Sequence, residues 1–333
     1  MTKLKNQKPA KSVPNFSTID PTYISISPNK KGHSHSLIKL QLLEKMIECA
    51  LISPYIKNEN PISLMIVAKP ESGKTSAMKK YRQNKGIIYV TDCTAYGLTR
   101  DVLPKMVSGE IKTIVIPDLL TPLSKATKTR RSFVAFLNNL IEEGIVKVTT
   151  YAMIWDRNVK ANVITAVTDQ ALFDGRHEWA KMGFISRFIV FSYSYNLSTI
   201  IEILNRYSRT GLVIDNKKMK FPKNPVQIHL SEHMADQLNP VAIKIGEQCE
   251  LYGIRAKINL RTLLKSLAYR NKSKEVTDIE FQEFLELANH MNFKFNPLSK
   301  VIFHEQPFNP SKTTHHSHTP QPTRRTSNKV RKS

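Results

Sequence analysis

The sequence has few of the features that mark secreted or membrane-spanning proteins. Its three cysteines, Cys49, Cys93 and Cys249, show no close pairing such as C-x-x-C, so neither a disulfide framework nor a zinc ribbon is predicted. No stretch approaches the roughly 18 uninterrupted apolar residues of a membrane-spanning helix. Residues 1–36 contain no apolar segment typical of a signal peptide. These absences predict a soluble, cytoplasmic protein with no membrane partner.

Acidic residues are scarce as well. The 333 residues include 50 Lys and Arg against 27 Asp and Glu, which gives a net charge of +23. So large an excess of cations makes a polyanion the first partner to consider, with nucleic acid ahead of an acidic membrane surface. Only 11 residues are glycine and 41% are hydrophobic, which excludes a collagen-like or wholly disordered chain. The length favours two domains plus tails.

The positive charge is concentrated in part at the two ends of the chain. Residues 1–34 hold six lysines and one aspartate, a local charge of +5, among scattered Pro, Ser and Asn. Residues 310–333 hold six cations and no acid, a local charge of +6. We interpret residues 1–34 and 297–333 as disordered basic arms. A charge of +12 remains on the rest of the chain, so DNA is expected to contact the body as well as both arms.

Hydrophobic patterning between the arms alternates between helical and strand periods, which is typical of an α/β fold. A doubly wound parallel sheet is predicted over residues 35–196, and a smaller helical lid domain over residues 197–296. The predicted strands are Ile62–Ala68, Ile87–Thr91, Thr113–Ile116, Val146–Tyr151, Asn162–Ala166 and Phe188–Ser192. The predicted lid helices are Ser198–Tyr207, Ser231–Tyr252, Asn259–Asn271 and Asp278–Met291.

A phosphate-binding loop is predicted between the first strand and the helix that follows it. In such a loop, backbone N–H groups converge on phosphate oxygens, Lys74 contributes a positive charge, and the Thr75 hydroxyl can coordinate Mg²⁺. The usual first glycine is replaced by Ala68, and the alternative interpretation is an ordinary Gly-Lys turn at a helix start. The candidate nucleotide-binding residues are Ala68, Lys69, Pro70, Glu71, Ser72, Gly73, Lys74, Thr75 and Ser76.

A candidate magnesium ligand follows the third predicted strand. Asp118 comes directly after the apolar segment 113–117, so a parallel sheet would place it on the same edge as the loop. A carboxylate there can accept a hydrogen bond from a magnesium-bound water, although an aspartate in this position often caps a helix. The next residue is Leu119, where a water-activating glutamate would be expected, so no hydrolytic base is identified. Glu142 and Glu143 are expected to face solvent.

These residues, with three further segments, resemble the AAA+ ATPases over residues 37–291. The similarity is greatest to the minichromosome maintenance helicases, the MoxR-like ATPases and the Holliday-junction branch-migration motor. The loop and Asp118 resemble a degenerate Walker A and Walker B pair, with Ala68 for Gly and Leu119 for Glu. The further segments are Asn162–Thr168, Gly183–Phe188 and Gly253–Arg255.

The resemblance implies a role for one residue in each of these segments. Thr168 matches the sensor 1 position, with Thr165 as second choice, although a Thr on a buried strand can also reflect ordinary β-propensity. Arg187 matches the arginine finger, and Arg255 matches sensor 2, with Arg261 as the fallback. Each arginine is otherwise a surface cation. Thr168, Arg187 and Arg255 are therefore the candidate catalytic residues.

The resemblance implies ATP and Mg²⁺ as cofactors, DNA as partner and a homo-oligomer, with a hexameric ring as one form. The first functional hypothesis is an ATPase acting on DNA, helicase-like or remodelling, in replication, recombination or mobile-element maintenance. Because of Ala68 and Leu119, the second is a nucleotide-gated DNA-binding scaffold or loader with little or no hydrolysis. A small-molecule kinase is a weaker third, since such an enzyme needs neither the lid nor the arms.

Overall fold

The computed structural model describes residues 39–150, 153–210 and 216–292. Both predicted arms lie outside these residues. Within them, no helix is long and apolar enough to cross a lipid bilayer.

The five-stranded sheet consists of parallel strands in the spatial order β2-β3-β6-β1-β7. Two further strands, β4 and β5, form a separate antiparallel hairpin, so the predicted strand over residues 146–151 does not belong to the main sheet. The parallel α/β architecture predicted from the sequence is thus confirmed. The strands are β1 (Ser63–Val67), β2 (Ile87–Tyr89), β3 (Thr113–Ile116), β4 (Ile145–Thr150), β5 (Met153–Val159), β6 (Asn162–Val167) and β7 (Phe188–Ser192).

Helices connect and flank these strands. The predicted helix Ser231–Tyr252 is divided in two, because Pro240 cannot continue the first piece and instead lies in the first turn of the second. The α-helices are α1 (Gln41–Ile52), α2 (Lys74–Lys79), α3 (Ala95–Gly97), α4 (Leu103–Val107), α5 (Leu120–Leu123), α6 (Thr127–Asn138), α7 (Asp169–Lys181), α8 (Leu197–Thr210), α9 (Glu232–Asp236), α10 (Asn239–Gln248), α11 (Ile254–Arg270) and α12 (Asp278–Ala288).

Each face of the sheet carries one apolar cluster. Side chains of a strand alternate between faces, so Leu64 and Ile66 of β1 belong to one cluster and Met65 and Val67 to the other. The first cluster also contains α1, α11 and α12, and the second contains α4, α6 and α7. Since β1 is fully buried on both sides, its carboxyl end is held rigidly at the centre of the sheet.

The C-terminal helices share the first apolar cluster with α1. Ion pairs reinforce this packing, because Glu59 pairs with Arg261 and Lys265, and Glu48 pairs with Arg270. The Glu59 and Glu48 side chains are almost completely buried, so these cations compensate charges that water solvates poorly. The C-terminal helices are therefore packed against the sheet. The division into a sheet domain and a lid domain at residue 197 stays a prediction.

The turn between α10 and α11 depends on close backbone contact at Gly246. A Cβ on Gly246 would lie 2.4 Å from the Gly253 nitrogen and 2.7 Å from the Leu251 carbonyl oxygen. Because both neighbours are backbone atoms, we expect Gly246→Ala to lower the free energy of unfolding by about 3 kcal/mol or more. Urea denaturation followed by circular dichroism measures this change.

Gly97→Ala provides the control for this substitution. Gly97 has helical dihedral angles (φ −60°, ψ −43°), and its Cβ would meet only the Thr94 hydroxyl at an ordinary 3.5 Å. We expect a change of about 1 kcal/mol or less for Gly97→Ala. Equal denaturation midpoints for the two variants would contradict the close contact at Gly246.

Candidate functional site

Three elements predicted to bind nucleotide meet at the carboxyl edge of the sheet. Strand β6 lies between β1 and β3, with Val67 opposite Val167 and Ile116 opposite Thr165. The loop after β1, Thr168 after β6 and Asp118 after β3 therefore follow three neighbouring strand ends. Ligands of open parallel sheets bind outside the carboxyl ends of the strands, where successive connections run to opposite sides.

The loop after β1 has the backbone of a tight turn. Gly73 has φ +88°, a left-handed conformation that favours glycine, and Glu71 also has a positive φ of 60°. Ala68, by contrast, is fully buried and is not among the residues with positive φ. The glycine usual at this position is therefore not required by the loop conformation, and Ala68 does not distort it.

Two tyrosines hold the middle of the loop. The hydroxyl groups of Tyr193 and Tyr195 donate to the Ser72 carbonyl oxygen over 3.0 and 2.8 Å. Burial raises the pKa of the Tyr195 phenol to about 12 and raises the pKa of Tyr193 as well, so both remain neutral donors. Neither residue was singled out from the sequence. The only signal was their position directly after β7, at the same edge as the loop.

Lys74, the first residue of α2, has its ammonium group inside the loop. Its Nζ donates to the carbonyl oxygens of Ala68 and Lys69, each over 2.6 Å, and lies 3.3 Å from the Ser72 hydroxyl. Burial lowers the pKa of Lys74, while the negative charges of Asp169 and Asp118 act in the opposite direction. The loop thus surrounds one cation that two carboxylates stabilise through space.

The other predicted loop residues are more accessible. Lys69, Pro70, Glu71 and Thr75 are exposed, and Ser76 is half-buried. Thr75 belongs to the first turn of α2, directly after Lys74. Thr75 is therefore accessible to solvent, and it also lines the cleft described below.

Asp118 and Asp169 are the two carboxylates whose charges act on Lys74. Asp118 is exposed and accepts hydrogen bonds from the Leu120 N–H and the Thr121 hydroxyl, so it also caps α5. Asp169 is buried and follows Thr168 at the start of α7. Sequence reasoning missed Asp169, although its place shortly after a predicted strand and next to Thr168 was the same kind of signal that identified Asp118. Leu119 is buried in the core and offers no base.

The two threonines considered for sensor 1 have different environments. Thr168 is the N-cap of α7, and its hydroxyl oxygen accepts from the Ala171 N–H at 3.2 Å. Its O–H remains available as a donor at the edge of the sheet. Thr165 is completely buried, and its hydroxyl donates to the Ile116 carbonyl oxygen over 2.8 Å. Thr165 therefore links β6 to β3 and does not reach the site.

Arg187 and Arg255 converge on one carboxylate. Arg187 Nη2 lies 2.7 Å from Glu142 Oε2, and Arg255 Nε bonds the other oxygen of the same group. Arg255 also approaches the Ser186 hydroxyl at 3.4 Å. The expectation that Glu142 faces solvent is therefore wrong, because two guanidinium groups draw it into an ion-pair cluster. Nothing is described of the Glu143 side chain.

This cluster lies at the opposite edge of the sheet from the loop. Phe188, the neighbour of Arg187, pairs with Ser63 at the start of β1, whereas the loop follows Val67 at its end. Five strand residues span about 16 Å. The structure thus does not bring Arg187 or Arg255 to the loop of their own chain, and the sensor 2 position of Arg255 is not adjacent to it. The fallback, Arg261, pairs with Glu59.

A cleft of about 540 Å³ separates the loop from α8. Its walls are residues 71–76 of the loop and helix α2, and Ile203, Leu204 and Tyr207 of α8. Leu204 and Tyr207 are 59% and 44% exposed, so a polar wall faces an apolar, aromatic one. Such a volume lies within the usual range for small-ligand sites. The contribution of α8 was not foreseen, because the approach of two segments so far apart in sequence depends on tertiary packing.

Comparison with known proteins shows similarity at the level of solved structures alone. No family model matches the chain, and no curated protein matches it. Among solved structures, it is similar to a protein from Cytophaga hutchinsonii described as a "putative ATPase", with a TM-score of 0.46 and 12% identity. The match covers 76% of this chain and 81% of that chain. The function is therefore argued from the site itself.

Proposed function

We propose that the protein binds and hydrolyses MgATP as an ATPase of the AAA+ type and acts on DNA. One observation carries the nucleotide site: the Lys74 ammonium lies within a tight loop, coupled to two carboxylates from neighbouring strand ends. A cationic loop beside carboxylates is the arrangement that binds a phosphate chain together with a divalent cation. A binding site for a neutral ligand would need neither.

The residues divide the binding task between them. Lys74 would exchange its bonds to loop carbonyl oxygens for bonds to phosphate oxygens, and Tyr193 and Tyr195 would keep the loop in shape meanwhile. Mg²⁺ commonly takes one or two protein oxygens and completes its shell with phosphate and water. Thr75 and Asp118 suit that role. The described residues contain no group of three or more His, Cys, Asp or Glu able to hold a metal alone.

Hydrolysis needs a group that positions water near the terminal phosphate. Leu119 is buried and apolar, so this role falls to Thr168 and Asp169 in our proposal. The buried Leu119 also favours the second candidate function, a nucleotide-gated DNA-binding scaffold that hydrolyses slowly or not at all. Phosphate release by the purified protein, measured with and without DNA, separates the two, since a scaffold would bind ATP without turnover.

DNA as the partner and an oligomer as the active form are parts of the same proposal. The excess of Lys and Arg supports a polyanionic partner. Arg187 lies about 16 Å along the sheet from the loop of its own chain, which supports an active site shared between subunits. Light scattering with a non-hydrolysable ATP analogue tests the oligomer.

Asp118→Asn is expected to weaken the binding of Mg²⁺ more than the binding of the nucleotide. The substitution keeps the shape and one oxygen that can accept from the Leu120 N–H, but it removes the charge that attracts the cation. We expect the Mg²⁺ midpoint for binding of a fluorescent ATP analogue to rise about tenfold or more, with little change in affinity for the analogue measured without Mg²⁺.

Asp174→Asn is the control, because Asp174 is an exposed aspartate of α7 that accepts a hydrogen bond from the Gln170 side chain. It should leave the magnesium titration unchanged. If Asp118→Asn and Asp174→Asn give the same midpoint as the parent, Asp118 is not a magnesium ligand.

A further inference from the structure

Two acid-free stretches of the chain lie side by side in the structure. Residues 72–91 and 216–231 contain no Asp or Glu, although they are more than a hundred positions apart in sequence. The Lys217 N–H donates to the Lys80 carbonyl oxygen over 2.8 Å. Asn84 joins them further, since its side chain donates to the Lys217 carbonyl and accepts from the Met219 N–H.

Their juxtaposition produces a surface of one sign of charge. Alternation along the second stretch turns Met219 and Phe221 toward the first apolar cluster and leaves Lys218 and Lys220 exposed. Lys80 and Lys217 are neutralised by Glu44 and Glu48 beneath the surface. Six exposed cations remain in the two stretches. Five of them, called the basic face below, are Lys79, Arg82, Lys85, Lys218 and Lys220, and the sixth is Lys223, further along the second stretch. Within the described residues none of these five forms an ion pair with a carboxylate.

We infer that the basic face binds the phosphate backbone of DNA. This inference rests on the proposed DNA partner and locates where the body meets it. Closely spaced cations without nearby carboxylates attract a polyanion and release its condensed counterions on contact. Lysine side chains contact phosphates without reading bases, so the binding is independent of sequence.

The composition of the face favours nucleic acid over an anionic membrane. Proteins that bind a bilayer surface insert apolar side chains between the headgroups. The exposed large hydrophobic residues in the described part of the chain all lie outside residues 79–85 and 216–223. Arg82 lies over the Tyr89 ring, with its guanidinium carbon 6.0 Å from the ring centroid, and that ring is only partly exposed.

The face is also close to the nucleotide site. Helix α2 begins with Lys74 in the loop and ends with Lys79 on the basic face. Its six residues span about 9 Å. DNA bound here would therefore lie one short helix away from the phosphates of ATP.

Substitution of four lysines tests the inference in the full-length protein. The variant carries Lys79→Ala, Lys85→Ala, Lys218→Ala and Lys220→Ala. We expect its affinity for a short mixed-sequence duplex to fall at least tenfold at low salt. The slope of log affinity against log salt should decrease by about 2 to 4, since each lost phosphate contact removes about 0.9. Fluorescence anisotropy measures both quantities.

A control variant removes the same charge elsewhere. Lys105→Ala, Lys181→Ala, Lys244→Ala and Lys274→Ala replace four exposed lysines that lie on other elements, and this variant should keep most of the parental affinity and slope. Equal losses in the two variants would overturn the inference in favour of net charge alone. The inference would also be overturned, in favour of a membrane, if the first variant bound anionic phospholipid vesicles less tightly than the parent but bound the duplex equally well.

A fluorescent ATP analogue separates this inference from the proposed nucleotide site. The four-lysine variant should bind the analogue like the parent, because Lys74 is unchanged. A parent that binds DNA through the face but no ATP would refute the nucleotide site and leave the basic face standing. A parent that binds ATP but shows no affinity for the duplex would refute the basic face and the DNA partner, and would leave the nucleotide site standing.

Discussion

Replacement of Lys74 by alanine is expected to weaken ATP binding by about 100-fold or more without unfolding the protein. Lys74 holds its charge inside the loop, where burial has already removed part of its solvation. A charge-assisted contact to phosphate contributes about 3 kcal/mol, which corresponds to a factor of about 100 in affinity. The Lys74 side chain is not part of either apolar cluster, so the thermal transition should change little.

Isothermal titration with ATP and Mg²⁺ measures this loss. Lys79→Ala is the matched control, because Lys79 is an exposed lysine on the same short helix. It should bind ATP like the parent. Undiminished binding by Lys74→Ala would show that the nucleotide lies elsewhere and would refute the assignment of the loop.

Arg187→Ala is expected to reduce ATP turnover about a thousandfold while ATP binding is retained. An arginine supplied to a phosphoryl-transfer site stabilises the charge of the transition state by this order of magnitude. Arg187 is too far along the sheet to reach the loop of its own chain, so it can contact phosphate only in a neighbouring subunit. In the described chain Glu142 holds it, and after substitution that carboxylate still has Arg255 as a partner.

Mixing two inactive variants tests the shared site. Lys74→Ala protein has an intact Arg187, and Arg187→Ala protein has an intact loop. Interfaces in a mixed oligomer that combine the two intact groups should regain a fraction of the parental turnover. The exposed Arg131 of α6 gives the control, because Arg131→Ala should leave turnover unchanged.

Two outcomes would contradict the role of Arg187. Mixed oligomers that form, as native mass spectrometry would show, and yet remain inactive would exclude a finger acting between subunits. A parent that binds ATP and releases no phosphate would support the scaffold function, in which Arg187 serves only to pair with Glu142.

The strands that form the site could be predicted because their signals are local. A short apolar segment bounded by turn residues is typical of a buried parallel strand, and β1, β3, β6 and β7 lie where that pattern placed them. The Gly73-Lys74 turn followed the same logic, since the positive φ at Gly73 is a property of neighbouring residues. The sequence also showed that position 119 holds leucine and therefore offers no base. Leu119 is buried in the core, which is consistent with its apolar side chain.

Other parts of the site depend on residues that are distant in sequence. The tyrosines that hold Ser72 come from beyond β7, more than a hundred residues away. The pairing of Glu142 with Arg187 and Arg255 brings three elements together, and no periodicity in any one of them reports it. Asp169 could have been found from the sequence, because it follows a predicted strand as Asp118 does, but its coupling to Lys74 required the order of the strands.

The sequence by itself determined the α/β class, the position of the loop and the excess of positive charge. Each of these follows from neighbouring residues or from composition, which do not change when the chain folds. Only the tertiary structure decided which strand ends adjoin, which cations are neutralised and which remain exposed. The basic face shows the difference: Lys217 and Lys218 are adjacent and chemically identical, but Lys217 pairs with the buried Glu48 while Lys218 is exposed. Burial alternates along residues 217–220, and the packing of Met219 and Phe221 against the first apolar cluster determines which side is buried.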